Sequence, residues 1–125
     1  MSSVSRIKIL IQISTGELVD AEFYRHLAPT TVAALVEKRT LDGYVVKFEN
    51  RFIYIQVGLI LGAEKSRRRF ESGEIAFIPS TGSIAFFLQQ STSLLPMNPI
   101  GKIVSGIGPL ESLKPGARLR VRVED

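Results

Sequence analysis

Along most of the chain apolar and polar residues alternate one for one, the pattern of half-buried β-strands. From Arg6 to Ile13 the side chains of Ile7, Ile9, Ile11 and Ile13 share one face. Ser14-Thr15-Gly16 supplies turn chemistry, and Glu17 to Tyr24 returns with Val19, Ala21 and Phe23 on one face, so an N-terminal hairpin is predicted. The period then changes. Pro29 with Thr30 or Thr31 forms a helix-start signal, and Val32, Leu35 and Val36 make a short apolar stripe at helical spacing. Past that helix, Gly43 to Glu49 and Phe52 to Val57 flank the polar step Glu49-Asn50-Arg51, which predicts a second hairpin. Gly58 to Arg69 reads as the longest irregular stretch, and Ser91 to Pro99 as a loop holding two prolines. Turns at Ser72-Gly73-Glu74 and Pro79-Ser80-Thr81-Gly82 precede strands at Ile75 to Ile78 and Ser83 to Gln89. Ile100 to Ser105 is extended, Leu110 to Leu113 suits one helical turn, and Lys114-Pro115-Gly116 opens the last strand.

Eight or nine short strands with one real helix, at regular spacing with turns between, favour a small closed β-barrel. The central segments Ile75-Ala76-Phe77-Ile78 and Ile84-Ala85-Phe86-Phe87-Leu88 are apolar on both faces. In a barrel one face fills the interior, and the other meets a covering helix or loop.

A length of 125 residues suits one core, so a single domain over residues 1–125 is expected. With 45% hydrophobic residues the chain is too apolar for disorder, and no apolar run approaches the roughly 18 residues of a membrane span. The first residues lead straight into the alternating pattern without an apolar leader segment, which reads as cytoplasmic. The absence of cysteine removes disulfides and thiolate chemistry, and the single histidine, His26, removes His-rich zinc sites. The net charge of +4 matters through its distribution. Alternation places Arg118, Arg120 and Arg122 on the wet face of the last strand, and Lys65-Ser66-Arg67-Arg68-Arg69 reads as a solvated loop.

The order of segments resembles the cyclophilins. Thr15-Gly16-Glu17-Leu18-Val19 followed by Leu27-Ala28-Pro29-Thr30-Thr31-Val32 is similar to the opening of that family, where a hairpin leads into a helix through an Ala-Pro-x-Thr-Val segment. Gly82-Ser83-Ile84-Ala85-Phe86-Phe87 resembles its Gly-Ser-Gln-Phe-Phe strand, with one extra residue. Ile100-Gly101-Lys102-Ile103-Val104-Ser105-Gly106 resembles its Phe-Gly-Lys-Val-Val-x-Gly strand. The short middle, including Asn50 to Tyr54, Gly73 to Pro79 and Asn98 to Gly101, looks more like the compact prokaryotic cyclophilin-like proteins, which have the barrel without a settled activity.

Prolyl isomerisation crosses a barrier of roughly 18–20 kcal/mol without breaking a bond. A catalyst must hold the proline in an apolar pocket, fix the flanking backbone, and place a cation near the nitrogen where the lone pair localises on twisting. The resemblance assigns the backbone clamp to Gln56 and the apolar groove to Tyr54, Phe87 and Met97. It places Asn50 where the family has its arginine. Arg51 is the nearest cation, and if it extended the following strand it would point with Ile53 and Ile55, away from Tyr54 and Gln56; a bulge or turn is needed to bring it back. The family's tryptophan is absent, and Met97 falls near its pocket histidine.

Three functions follow from these residues. The first is a binding module for a peptide segment or small ligand, with weak or no isomerase activity. The second is a working peptidyl-prolyl isomerase with Arg51 and Gln56 as catalytic residues. Nucleic-acid binding through the Lys65–Arg69 run ranks last, because only Phe70 supplies an adjoining aromatic. No cofactor and no metal are expected: Glu64, Glu71 and Glu74 are interleaved with cations that would repel a metal. Self-association through a barrel edge stays open, without a sign of which edge.

Overall fold

The computed structural model describes residues 5–124; the leader-free reading of the first residues lies outside them. The chain runs β1 (Arg6–Ile13), β2 (Leu18–Tyr24), α1 (Pro29–Lys38), β3 (Thr40–Tyr44), β4 (Val46–Phe48), β5 (Phe52–Gln56), β6 (Arg67–Phe70), β7 (Glu74–Ile78), β8 (Ser83–Phe87), β9 (Ser91–Ile103), α2 (Gly108–Glu111) and β10 (Arg118–Val123). Both predicted hairpins form, with β1 on β2 and β4 on β5, and the helix starts at Pro29 as its signal indicates. None of the described helices is long and apolar enough to cross a membrane.

Two stretches that read as irregular are strands. Ser91 to Pro99 forms the first part of β9, whose alternation is hidden by two register shifts against its partners. Pro96 lies within the first shift and Pro99 beside the second, where a strand tolerates a residue with no N–H to donate. Arg67 to Phe70 forms β6, which pairs β9 alone. Its three exposed arginines gave no apolar face to read, and charge is what an edge strand carries to block further pairing.

All pairings are antiparallel, in the order β3-β10-β1-β2-β9-β7-β8-β5-β4. Ten strands therefore stand where about eight were expected, and among the described residues no ladder joins the two ends of this order, β3 and β4, into a continuous hydrogen-bonded ring. One physical reason is a change of partner at Val45. The segment from Thr40 pairs with β10, Val45 exchanges 2.8 Å hydrogen bonds with Gly116 and Ala117, and Val46 onward pairs with β5. The two ends of the strand order are thus one residue apart in the chain. Gly43 permits β3 and β5 to approach, since a Cβ there would lie 3.0 Å from the Gln56 carbonyl oxygen.

Alternation along β5, β7 and β8 builds two cores. Ile53, Ile55, Ile75, Phe77, Ile84 and Phe86 face inward and join Ile9, Ile11, Phe23 and the helix residues Val32 and Leu35 in the main core. Phe52, Ala76, Ile78, Ala85 and Phe87 face the other way, where Phe70 of β6 and Met97 of β9 cover them. The two-faced apolar strands are explained, although a strand supplies the cover that a helix or loop was expected to give.

The helix N-terminus lacks a capping side chain of its own. Glu64 fills that role from the long connection. Its carboxylate accepts hydrogen bonds from the backbone N–H groups of Thr30 and Thr31 and from the Thr31 hydroxyl, at 2.8–2.9 Å. The fully buried Asn98 accepts from the Glu64 N–H and donates to Thr31 Oγ1 and the Gly62 carbonyl. One connection is thereby tied to a helix end and to β9 at once.

Candidate ligand-binding groove

The outer core is not fully covered. A groove of about 600 Å³ opens on it, within the range of small-molecule sites. Phe52, Tyr54, Ile78 and Met97 line it from β5, β7 and β9. The β4–β5 turn contributes Phe48, Glu49 and Arg51, and the β9 segment Thr92 to Leu95 contributes from another side.

The turn decides where Arg51 goes. Glu49 adopts a positive φ of 53°, and the Arg51 N–H donates to the Phe48 carbonyl at 3.1 Å, closing the step before β5 begins. The Arg51 carbonyl then accepts from the Leu88 N–H at 2.8 Å. Parity within β5 holds as predicted, with Ile53 and Ile55 in the main core and Tyr54 on the opposite face. Because Arg51 belongs to the turn rather than to the strand, that parity does not apply to it, and it lines the groove with Tyr54. Its Nε lies 3.2 Å from Glu49 Oε1, in an ion pair open to solvent.

The wall from β9 comes from the first register shift, which leaves Ser93 to Pro96 unpaired between Thr92 and Met97. Arg68 Nε donates to the Ser93 carbonyl at 2.9 Å, and Ser93 Oγ accepts from the Leu95 N–H at 3.0 Å. Leu94, 84% exposed, and Leu95 are left at the rim.

Tyr54, Met97 and Arg51 thus meet in one groove. Phe87 does not line it: the ring is fully buried, 5.0 Å from Phe52 and 4.7 Å from Phe70 centroid to centroid, so it supports the floor from below. Gln56 does not line it either. Its Nε2 donates to the Thr81 carbonyl at 3.4 Å, and Thr81, not Gln56, reaches the groove. Sequence reasoning missed Phe48, Glu49, Leu94 and Leu95. The one sign of the last two was an adjacent leucine pair that breaks alternation in a polar stretch.

Other candidate chemistry is otherwise engaged. Arg67 lies over the Phe70 ring at 4.4 Å and pairs with Glu74 at 2.7 Å, and Arg69 pairs with Glu71 at 3.8 Å, so much of the basic run is neutralised locally. Arg118 and Arg120 share Asp42 at 3.3 Å each, on the wet face where alternation put them. His26 is exposed and stacks on Tyr24 at 5.8 Å. Burial pushes the Glu64 carboxyl up, but the hydrogen bonds from Thr30 and Thr31 outweigh it and hold the group below its ordinary range.

No family model and no curated protein matches the sequence. Among solved structures, the chain superposes on a hypothetical protein from Archaeoglobus fulgidus, known from a solution structure, with a TM-score of 0.79 and 20% identity over 96% of each chain. It also superposes on McbB, solved in complex with tryptophan, with a TM-score of 0.74 and 14% identity over 91% of this chain. This chain spans 44% of McbB. At these identities the likeness is one of fold, and neither name refers to cyclophilins.

Proposed function

We propose that this chain is a cyclophilin-like barrel protein that binds a peptide segment or small ligand in the outer groove, with weak or no prolyl isomerase activity. The observation that carries the reading is the groove itself: an apolar trough floored by Phe52, Tyr54, Ile78 and Met97, with a single ion pair in its wall. Such a site gains affinity by covering apolar surface and orientation from a few polar groups. Barrel closure is part of the proposal, supported by the Val45 junction that leaves the two ends of the strand order one residue apart. Tryptophan, held by a protein of similar fold, is a reasonable first small ligand, and an Ala-Pro peptide a reasonable first segment. Calorimetric titration of both should give binding that weakens at least tenfold in Tyr54→Ala; heats indistinguishable from dilution for every ligand tried would sink the proposal.

The isomerase reading gains one observation, that Arg51 lines the groove. Two others stand against it: the guanidinium is shared with Glu49, and the Gln56 amide is turned to Thr81. A coupled isomerisation assay on an Ala-Pro peptide, with Arg51→Ala alongside, separates the two readings. The binding module predicts no more than a small acceleration; a large one that vanishes in the variant would establish the isomerase.

A further inference from the structure

The ion pair in the groove wall has a chemical consequence of its own. The nearest approach of Arg51 to Glu49 is from Nε, at 3.2 Å, and among the described residues the guanidinium donates no hydrogen bond to another side chain or to a carbonyl. A guanidinium presents five N–H donors in a fork that matches a carboxylate, so most of its donor capacity is unused. Both side chains are substantially exposed, at 45% and 65%, so the existing pair is weakly held and its exchange costs little. A second guanidinium lies beside the other wall. Arg68 donates from Nε to the Ser93 carbonyl and has no carboxylate partner among the described residues. The groove lining therefore brings one guanidinium and one carboxylate to a trough whose floor is aromatic and apolar, while Arg68 stands behind the β9 wall on the Ser93 carbonyl.

We infer that the groove takes a small ligand with an aromatic body and one carboxylate, and that Glu49 is an internal competitor for the Arg51 seat. The aromatic body lies over Phe52, Tyr54 and Met97. The carboxylate engages the Nη side of Arg51, and Glu49 is released to solvent or shares the guanidinium. This deepens the binding proposal above and rests on it. It also fixes the sign of a substitution: removing the charge of Glu49 strengthens binding of an acid and leaves binding of its neutral analogue unchanged.

The test uses 3-phenylpropionate and 3-phenylpropionamide, matched in shape and differing in charge. Each is titrated into the full chain while the Met97 methyl signal is followed by NMR. The acid should bind about three- to tenfold more tightly than the amide, the range of one exposed charge-assisted contact. That preference should disappear in Arg51→Met and grow severalfold in Glu49→Gln, a substitution at an exposed turn position that leaves the core untouched. If acid and amide bind equally well, or if Glu49→Gln leaves the acid's affinity unchanged, the carboxylate assignment is overturned while groove binding stands. If neither probe moves the Met97 signal at millimolar concentration, aromatic-ligand binding in the groove fails and this inference fails with it.

Discussion

The two apolar faces of β5, β7 and β8 are made from the same strands but are built differently. The inner face is dominated by isoleucine and packs against residues of β1, β2, β10 and α1 in the main core. The outer face carries Phe52, Ile78 and Phe87 about two alanines, and Phe70 of β6 and Met97 of β9 cover only part of it. Branched aliphatic residues fill an interior efficiently and offer nothing polar. Flat rings around small residues, with Tyr54 at their margin, leave a trough that a ligand can enter. On the proposed function, binding belongs to the outer face and most of the enclosed core to the inner face of the same sheet.

The largest expected effect is on the inner face. Phe86→Ala should cost about 4 kcal/mol, because a fully buried ring leaves a cavity with no route to solvent. Phe87→Ala removes an equally buried ring, but its neighbour Phe52 borders the groove and can settle into the gap, so a loss of about 3 kcal/mol is expected. Denaturant unfolding of both variants measures the difference, and equal losses would mean that the outer core is as enclosed as the inner. Tyr54→Ala reverses the balance. It should lower stability by about 1 kcal/mol, since the ring is only partly buried, yet remove most ligand affinity.

Glu64→Gln is a control away from the groove, and should cost about 1 kcal/mol through the weakened helix cap. Its pH dependence has a definite sign. The folded-state pKa of Glu64 is lowered, so its contribution is complete above the ordinary carboxyl range and is lost as pH falls through the folded value. Thermal melts of wild type and variant should differ at neutral pH and converge in acid, with groove affinity unchanged throughout.

The inner face was legible in the sequence because strict alternation is its cause. Ile7 to Ile13, Val19 to Phe23 and the helix stripe at Val32 and Leu35 were all placed correctly from their spacing. The outer face was legible only in part. Tyr54 and Met97 fell in the groove, but Phe87 sits beneath it and Gln56 beside it. What was hidden depends on irregular backbone. The positive φ of Glu49 carries Arg51 off strand parity, and the register shift before Met97 lifts Leu94 and Leu95 into a rim. Neither has a period, and β6 was masked because its charges serve an edge rather than a core.

The most direct test of groove binding is NMR of an Ala-Pro peptide with the full chain, in which binding and isomerisation are read in one sample. The Met97 methyl and Tyr54 ring report on the groove, and exchange between the cis and trans peptide signals reports on catalysis. Saturable shifts at Met97 and Tyr54 are expected, with at most a slight gain in exchange rate. Unchanged groove signals, or fast exchange abolished by Arg51→Ala, would contradict the proposed binding module.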